Sequence, residues 1–183
     1  MPYSYDYPRP AVTVDAVLAT TGSRGELRIL LIQRKFEPFQ DAWALPGGFV
    51  EEHEDLAVAA KREMLEETGI ELDKVVQLGA YGTPHRDPRG HTVGVAFLAM
   101  CGPDEVQHVA GDDASACRWS SAQRPPRLAF DHKLIVADAR AAFARFATSE
   151  ALFVSTFFGE RRARSLGKRT IQALRRAARP SRG

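Results

Sequence analysis

Three carboxylates in the stretch Arg62-Glu63-Met64-Leu65-Glu66-Glu67 carry the strongest chemical signal in the chain. On a helix, Glu63, Glu66 and Glu67 stand at i, i+3 and i+4, on one face and about 5–6 Å apart. Like charges at that spacing repel, at a cost of a few tenths of a kcal/mol per pair. A fold gains nothing from that cost unless a cation sits there. Clustered hard oxygen ligands suit Mg²⁺ or Mn²⁺, ions that also share phosphate oxygens. Arg62 reaches Glu66 at i+4 and can orient one carboxylate. An isolated string of this kind is also what a solvated acidic face looks like, so the surroundings decide between the two.

The elements that must carry these residues are legible. Asp55 is a good N-cap and Gly69 a good residue just past a helix end, which predicts a helix over 56–68. β-branched and apolar runs predict strands over 11–20, 27–33, 75–81, 92–101 and 116–119. The Leu45-Pro46-Gly47-Gly48-Phe49-Val50 stretch reads as a turn inside an apolar segment. Asp131 is placed to cap a second helix over 132–146. Ile135, Ala139, Ala142, Phe143 and Phe146 form its apolar stripe and read as core. Strands plus two separated helices predict an α/β fold, a mixed sheet with helices on either side.

Composition narrows the class. At 183 residues the chain suits one domain. The formal net charge of +2 hides a division. Residues 1–150 hold 16 Lys/Arg against 22 Asp/Glu, and residues 151–183 hold 9 against 1. The predicted organisation is therefore an acidic body, 1–150, and a basic tail, 151–183, with a helix over 164–178. Leu152, Phe153, Val154, Phe157 and Phe158 are candidates to pack back on the body. No apolar run approaches the about 20 residues needed to cross a bilayer, so no membrane partner is expected. The N-terminus MPYSYDYPRP lacks a basic region followed by an apolar one, and Cys101 and Cys117 form no framework. A cytoplasmic location with two reduced thiols is the expectation.

Gly48, five residues, Glu54, seven residues, then Arg62-Glu63-Met64-Leu65-Glu66-Glu67-Thr68-Gly69-Ile70 matches every fixed position of the Nudix box. The chain thus resembles the Nudix hydrolases, and Trp43 to Glu51 resembles that family's approach to its box. The resemblance implies an α/β/α sandwich with a loop–helix–loop catalytic element that cleaves a nucleoside diphosphate linked to another group. Carried over by position, Glu63 and Glu67 would be direct metal ligands. Glu66 would be a ligand or water organiser, and the Gly47 carbonyl a further ligand. Arg62 and Glu54 would be a supporting pair. Bound metal would neutralise the pyrophosphate and lower the pKa of an attacking water.

Three further segments resemble Nudix proteins that act on ADP-ribose: Tyr7 to Asp15, Gly82 to Gly90, and Leu128 to Lys133. With the box, the resemblance covers about residues 7–147. It implies an ADP-ribose pyrophosphatase giving AMP and ribose 5-phosphate. NADH, a dinucleoside polyphosphate, an oxidised nucleotide or a nucleotide sugar are alternative substrates. Some relatives instead sense ADP-ribose and regulate NAD-metabolism genes through a winged helix, for which 33 tail residues are too few. Arg86 and Arg89 would contact phosphate or terminal ribose, although Asp87-Pro88-Arg89-Gly90 is also good turn chemistry. Tyr3, Tyr5 and Tyr7 are candidates to stack on adenine, or simply to pack. For the general base, Asp112 and Asp113, in a loop ahead of 116–119, compete with a box glutamate, and His85 and His91 are weaker candidates; Asp113 is carried forward. A homodimer is implied by the resemblance alone, and the basic tail could hold nucleic acid non-specifically.

Overall fold

The central strand is β1 (Ala11–Thr21), buried continuously from Thr13 to Thr21. A strand buried on both faces needs cover on both, and the rest of the chain supplies it. The computed structural model describes residues 4–102, 116–148 and 156–157. Around β1 stand β2 (Leu27–Gln33), β3 (Trp43–Ala44), β4 (Gly47–Phe49), β5 (Val76–Tyr81), β6 (Thr92–Met100) and β7 (Cys117–Ser121). They form one mixed seven-stranded sheet in the order β3-β2-β1-β6-β5, with β4 pairing to β1 and β7 to β2. β1 and β6 run parallel from Ala11↔Thr92 to Ala19↔Met100, and the other named pairings are antiparallel.

Strand alternation sorts β1 onto two layers. Val14, Ala16 and Leu18 share clusters with Ala59, Ala60 and Met64 of α1 (Leu56–Thr68). Val17 and Ala19 share a cluster with Ile135, Ala139, Ala142 and Phe143 of α2 (His132–Phe146). The sandwich and the apolar stripe of α2 are as the sequence predicts. Of the tail aromatics, Phe157 is buried against Phe143 and Phe146, with ring centroids 5.5 and 5.1 Å apart. The predicted helix over 164–178 lies outside the described residues, as do Leu152, Phe153, Val154 and Phe158. Among the described residues no helix is long and apolar enough to cross a membrane, and Cys101 and Cys117 are free thiols.

Two local readings are corrected. The 45–50 turn contains a strand: β4 pairs with β1 at Thr13↔Phe49, Val14↔Gly48 and Asp15↔Gly47. Glycines weaken strand propensity and hide the signal. Here they permit the approach, because a Cβ on Gly47 would collide with the Val14 carbonyl oxygen. The second correction concerns Asp131. It precedes α2 but makes no side-chain cap hydrogen bond, because its carboxylate is engaged by Arg86. Asp55 does cap α1, accepting from the N–H groups of Ala57 and Val58 at 2.8 and 3.3 Å. Gly69 ends that helix at φ 70°, its N–H donating to Leu65 O at 2.8 Å.

Candidate active site

Arg62 organises the exposed side of α1. Its Nε and Nη2 donate to the two Glu54 oxygens at 2.8 and 2.9 Å. Its Nη1 donates to Glu63 at 2.8 Å and to Glu66 at 3.2 Å, and its Nη2 also reaches Phe49 O at 3.1 Å. One guanidinium therefore ties the loop before the helix to three carboxylates. The Arg62 hydrogen bonds, with the Glu51 N–H, hold the Glu54 carboxyl down at about 2, and Glu54 in turn raises the pKa of Arg62.

Two of the box carboxylates, Glu63 and Glu67, turn inward. Glu67 Oε2 accepts the Gly47 N–H at 2.9 Å. Burial pushes its carboxyl up to about 8, against the pull of that N–H. Burial also raises Glu63, and Arg62 opposes the shift. A Cβ on Gly48 would collide with the Glu63 carboxylate, so the glycine makes the space that this side chain fills. Glu66 is the exposed member, 53 % accessible. Glu63 and Glu67 are thus hard oxygen donors held in a desolvated pocket, a donor set that fits a divalent cation. In their present rotamers they face Arg62 and Gly47, and no three acidic, His or Cys side chains among the described residues converge tightly enough to enclose one.

A cleft opens beside the Gly47-Gly48 segment, which forms part of its lining. Arg34 and Arg89 line it, their guanidinium carbons 4.8 and 5.3 Å from the Phe130 ring centroid. Arg89 also stands 4.8 Å from the Phe49 ring and is held by Asp87, with Nη2 2.7 Å from Oδ2. Burial and the nearby Arg89 charge lower the pKa of Arg34. Two cations drawn to one ring, one of them partly desolvated, form an anion-seeking wall.

Arg86 lines the same cleft but is tied down. Its side chain is 5 % exposed and forks onto Asp131, Nε to Oδ2 at 2.8 Å and Nη2 to Oδ1 at 2.6 Å, with Asp15 at 3.9 Å. Gly94 leaves room for it, since a Cβ there would lie 2.7 Å from Arg86 Nη1. Gly94→Ala is therefore expected to lower stability by about 1–3 kcal/mol through overpacking. A thermal melt checks this, and an unchanged Tm would mean that Arg86 yields freely.

Sequence reasoning thus brings Glu54, Arg62, Glu63, Glu66, Glu67 and Gly47 to one place, and Arg89 to the adjoining cleft. Arg86 also lines that cleft, with its guanidinium bound to Asp131. Asp112 and Asp113 lie outside the described residues, as does Tyr3. Tyr5 and Tyr7 are exposed, with Arg9 stacked 3.7 Å from the Tyr5 ring. Arg34, Phe130, Asp15 and His132 were not singled out from sequence. For Asp15 a signal existed: one acid inside the apolar run Val12-Thr13-Val14-Asp15-Ala16-Val17-Leu18.

A helix that follows a short Gly-Gly strand, bearing an arginine-tied carboxylate array and backed by a two-sided mixed sheet, fits the loop–helix–loop class of pyrophosphohydrolases. The chain belongs to the Nudix family: the profile described as NUDIX domain matches residues 9–139. It is a Nudix pyrophosphohydrolase. It is 43% identical over 133 residues to the ADP-ribose pyrophosphatase of Methanocaldococcus jannaschii, covering 72% of this chain and 74% of that protein. It is 38% identical over 135 residues to the ADPR responsive transcriptional repressor NtrR of Acinetobacter baylyi. That match covers 69% of this chain and 52% of the repressor, so the chain spans about half of that relative. Among solved structures, the NUDIX domain of Shewanella oneidensis NrtR complexed with ADP ribose superposes with a TM-score of 0.65 at 32% identity, covering 74% of this chain and 92% of that one.

Proposed function

We propose that this enzyme hydrolyses ADP-ribose to AMP and ribose 5-phosphate with Mg²⁺ or Mn²⁺. The observation that carries the reading is the α1 carboxylate array packed on Gly47-Gly48, next to an arginine-lined cleft that the same two glycines line. A water adds to one phosphorus, the P–O–P bridge breaks, and each product leaves with one phosphate. Glu63 and Glu67 would hold the cation, with Glu66 and the Gly47 carbonyl as further donors. Bound there, the cation supplies neutralisation of pyrophosphate oxygens and acidification of a water. Arg62 fixes the carboxylate face, and the Gly47 N–H aims Glu67. Arg89 and Arg34 bind phosphate oxygens, and Phe130 and Phe49 lie beneath them. Arg86 keeps the cleft floor in place rather than touching substrate. Asp113 is the proposed general base, with a box glutamate as the alternative. The domain proper would be 1–150, with 151–183 as a basic appendage; a cytoplasmic homodimer is proposed on family resemblance.

The names of the relatives support the substrate: one is an ADP-ribose pyrophosphatase and another is a NUDIX domain crystallised with ADP ribose. The match to an ADPR responsive repressor favours one second reading, ADP-ribose-dependent gene regulation. A substrate panel of ADP-ribose, NADH, a dinucleoside polyphosphate, an oxidised nucleotide and a nucleotide sugar, with product identification, decides. ADP-ribose is expected to rank first in kcat/KM and to release AMP. No AMP with either metal, together with an ADP-ribose-sensitive DNA mobility shift, would favour the regulator. Within the hydrolase reading, Arg89→Ala is expected to raise KM for ADP-ribose about tenfold, roughly 1.4 kcal/mol of binding, with a smaller effect on kcat. An unchanged KM would remove Arg89 from the binding wall.

A further inference from the structure

Asp15, with His132, lines the cleft from a strand whose neighbouring residues are apolar. It lies on the α2 side of β1, in line with Val17 and Ala19, and is 6 % exposed. Burying a carboxylate costs several kcal/mol unless partners satisfy it, and a well-packed apolar side chain would serve stability at least as well. Its closest partner is His132, also buried, with Nε2 3.2 Å from Asp15 Oδ1. His132 Nδ1 accepts the Leu45 N–H at 2.9 Å, which leaves the ring proton on Nε2, the nitrogen on the Asp15 side. The main chain then continues Leu45-Pro46-Gly47. The Ala16 N–H donates to Pro46 O at 2.8 Å, and Asp15 itself pairs with Gly47 between β1 and β4. At the end of this path the Gly47 N–H holds Glu67 Oε2 at 2.9 Å.

We propose that Asp15 and His132 are positioning residues for Glu67: His132, paired with Asp15 and accepting the Leu45 N–H, fixes the segment whose Gly47 N–H aims that carboxylate. The inference rests on the reading of Glu67 as a carboxylate of the reaction. Neither residue reaches α1 directly. They act from the far side of the sheet, by denying the 45–47 segment any freedom to shift. A displacement of about 1 Å at a reacting group costs on the order of 10²-fold in rate, which gives such a brace its value.

The test joins kinetics to a readout in the metal-free protein. His132→Gln keeps volume but cannot keep both the Leu45 hydrogen bond and the Asp15 contact, whereas Asp15→Asn keeps an oxygen facing His132 Nε2. At saturating Mg²⁺, His132→Gln is expected to lower kcat about 10–100-fold while KM for ADP-ribose stays within about twofold. Asp15→Asn is expected to stay within about threefold of the parent, because the contact survives. By NMR hydrogen exchange without metal, the Gly47 amide of His132→Gln is expected to exchange at least about tenfold faster than in the parent. Should His132→Gln fail to fold, Asp15→Ala, which removes the oxygen facing His132, is expected to give the same pair of changes. Parental kcat with unchanged Gly47 exchange in the folded variant overturns the proposal. Full activity of Glu67→Gln instead overturns the reading beneath it, and Gly47 exchange still reports on the brace.

Discussion

Glu67→Gln is expected to lower kcat for ADP-ribose hydrolysis by about 10³-fold, roughly 4 kcal/mol of lost transition-state stabilisation, with the fold intact. The amide retains the size of the carboxylate and an oxygen to accept the Gly47 N–H, so the 2.9 Å contact has no reason to break. What it removes is the negative charge, which is what a divalent cation needs. Steady-state rates at several Mg²⁺ concentrations check this. A loss confined to KM would mean that Glu67 belongs to ordinary substrate binding.

The same variant has an opposite effect on stability, and pH separates the two. The folded-state carboxyl titrates at about 8 against an ordinary 4.5, because burial disfavours its charge. A raised folded pKa means that proton binding favours the fold fully below pH 4.5, and that this contribution is lost as pH rises through 8. The metal-free parent thus carries a buried charge at pH 9 that it does not carry at pH 6. Glu67→Gln removes that charge, and its metal-free Tm is expected to exceed the parent's at pH 9 by about 3–6 °C, with little difference at pH 5. Added Mg²⁺ should raise the parent's Tm and leave the variant's unchanged. Differential scanning calorimetry at pH 9 and pH 5, with and without Mg²⁺, measures all of this. A variant no more stable than the parent at pH 9 would mean that Glu67 is ionised there at no cost.

The parts of the fold legible in the sequence are those written in local chemistry. Helix α1 begins and ends where Asp55 and Gly69 specify, since both caps act within a few residues of chain. The Arg62 fork was legible in part, because Glu66 is one turn away; Glu54 follows only from family resemblance, being eight residues distant across a loop. The cleft was not legible. Its arginines come from β2's end and from the loop before β6, and only the sheet order brings Arg34 and Arg89 to one phenylalanine. Arg86 shows the limit most clearly. In sequence it is a loop arginine like Arg89, three residues away, and both line the cleft, yet Arg86 is locked onto Asp131 and buried while Arg89 is 38 % exposed. That difference depends on Gly94, a strand glycine whose missing Cβ makes the room. Asp131 was misread for the same reason: the local rule makes it a cap, and a tertiary partner overrides it.

Arg62→Lys is expected to be far from conservative. It should lower kcat about 10–100-fold and Tm by about 5–10 °C. A lysine ammonium presents its donors from one point, whereas the guanidinium spans both Glu54 oxygens, Glu63, Glu66 and Phe49 O at 2.8–3.2 Å. Whichever carboxylate the ammonium selects, the others lose their partner and the helix face loses its tie to the 49–54 loop. The pH dependence tests this cause against simple loss of packing. Arg62 holds the Glu54 carboxyl down at about 2 against an ordinary 4.5. A depressed folded pKa contributes stability that is complete above pH 4.5 and is lost as pH falls through 2. The Tm gap between parent and Arg62→Lys should therefore be full at pH 7, narrow below pH 4.5 and be smallest near pH 2. A gap that keeps its size down to pH 2 would assign the loss to the arginine's packed stem, and the fork would then contribute alignment of the carboxylates without contributing stability.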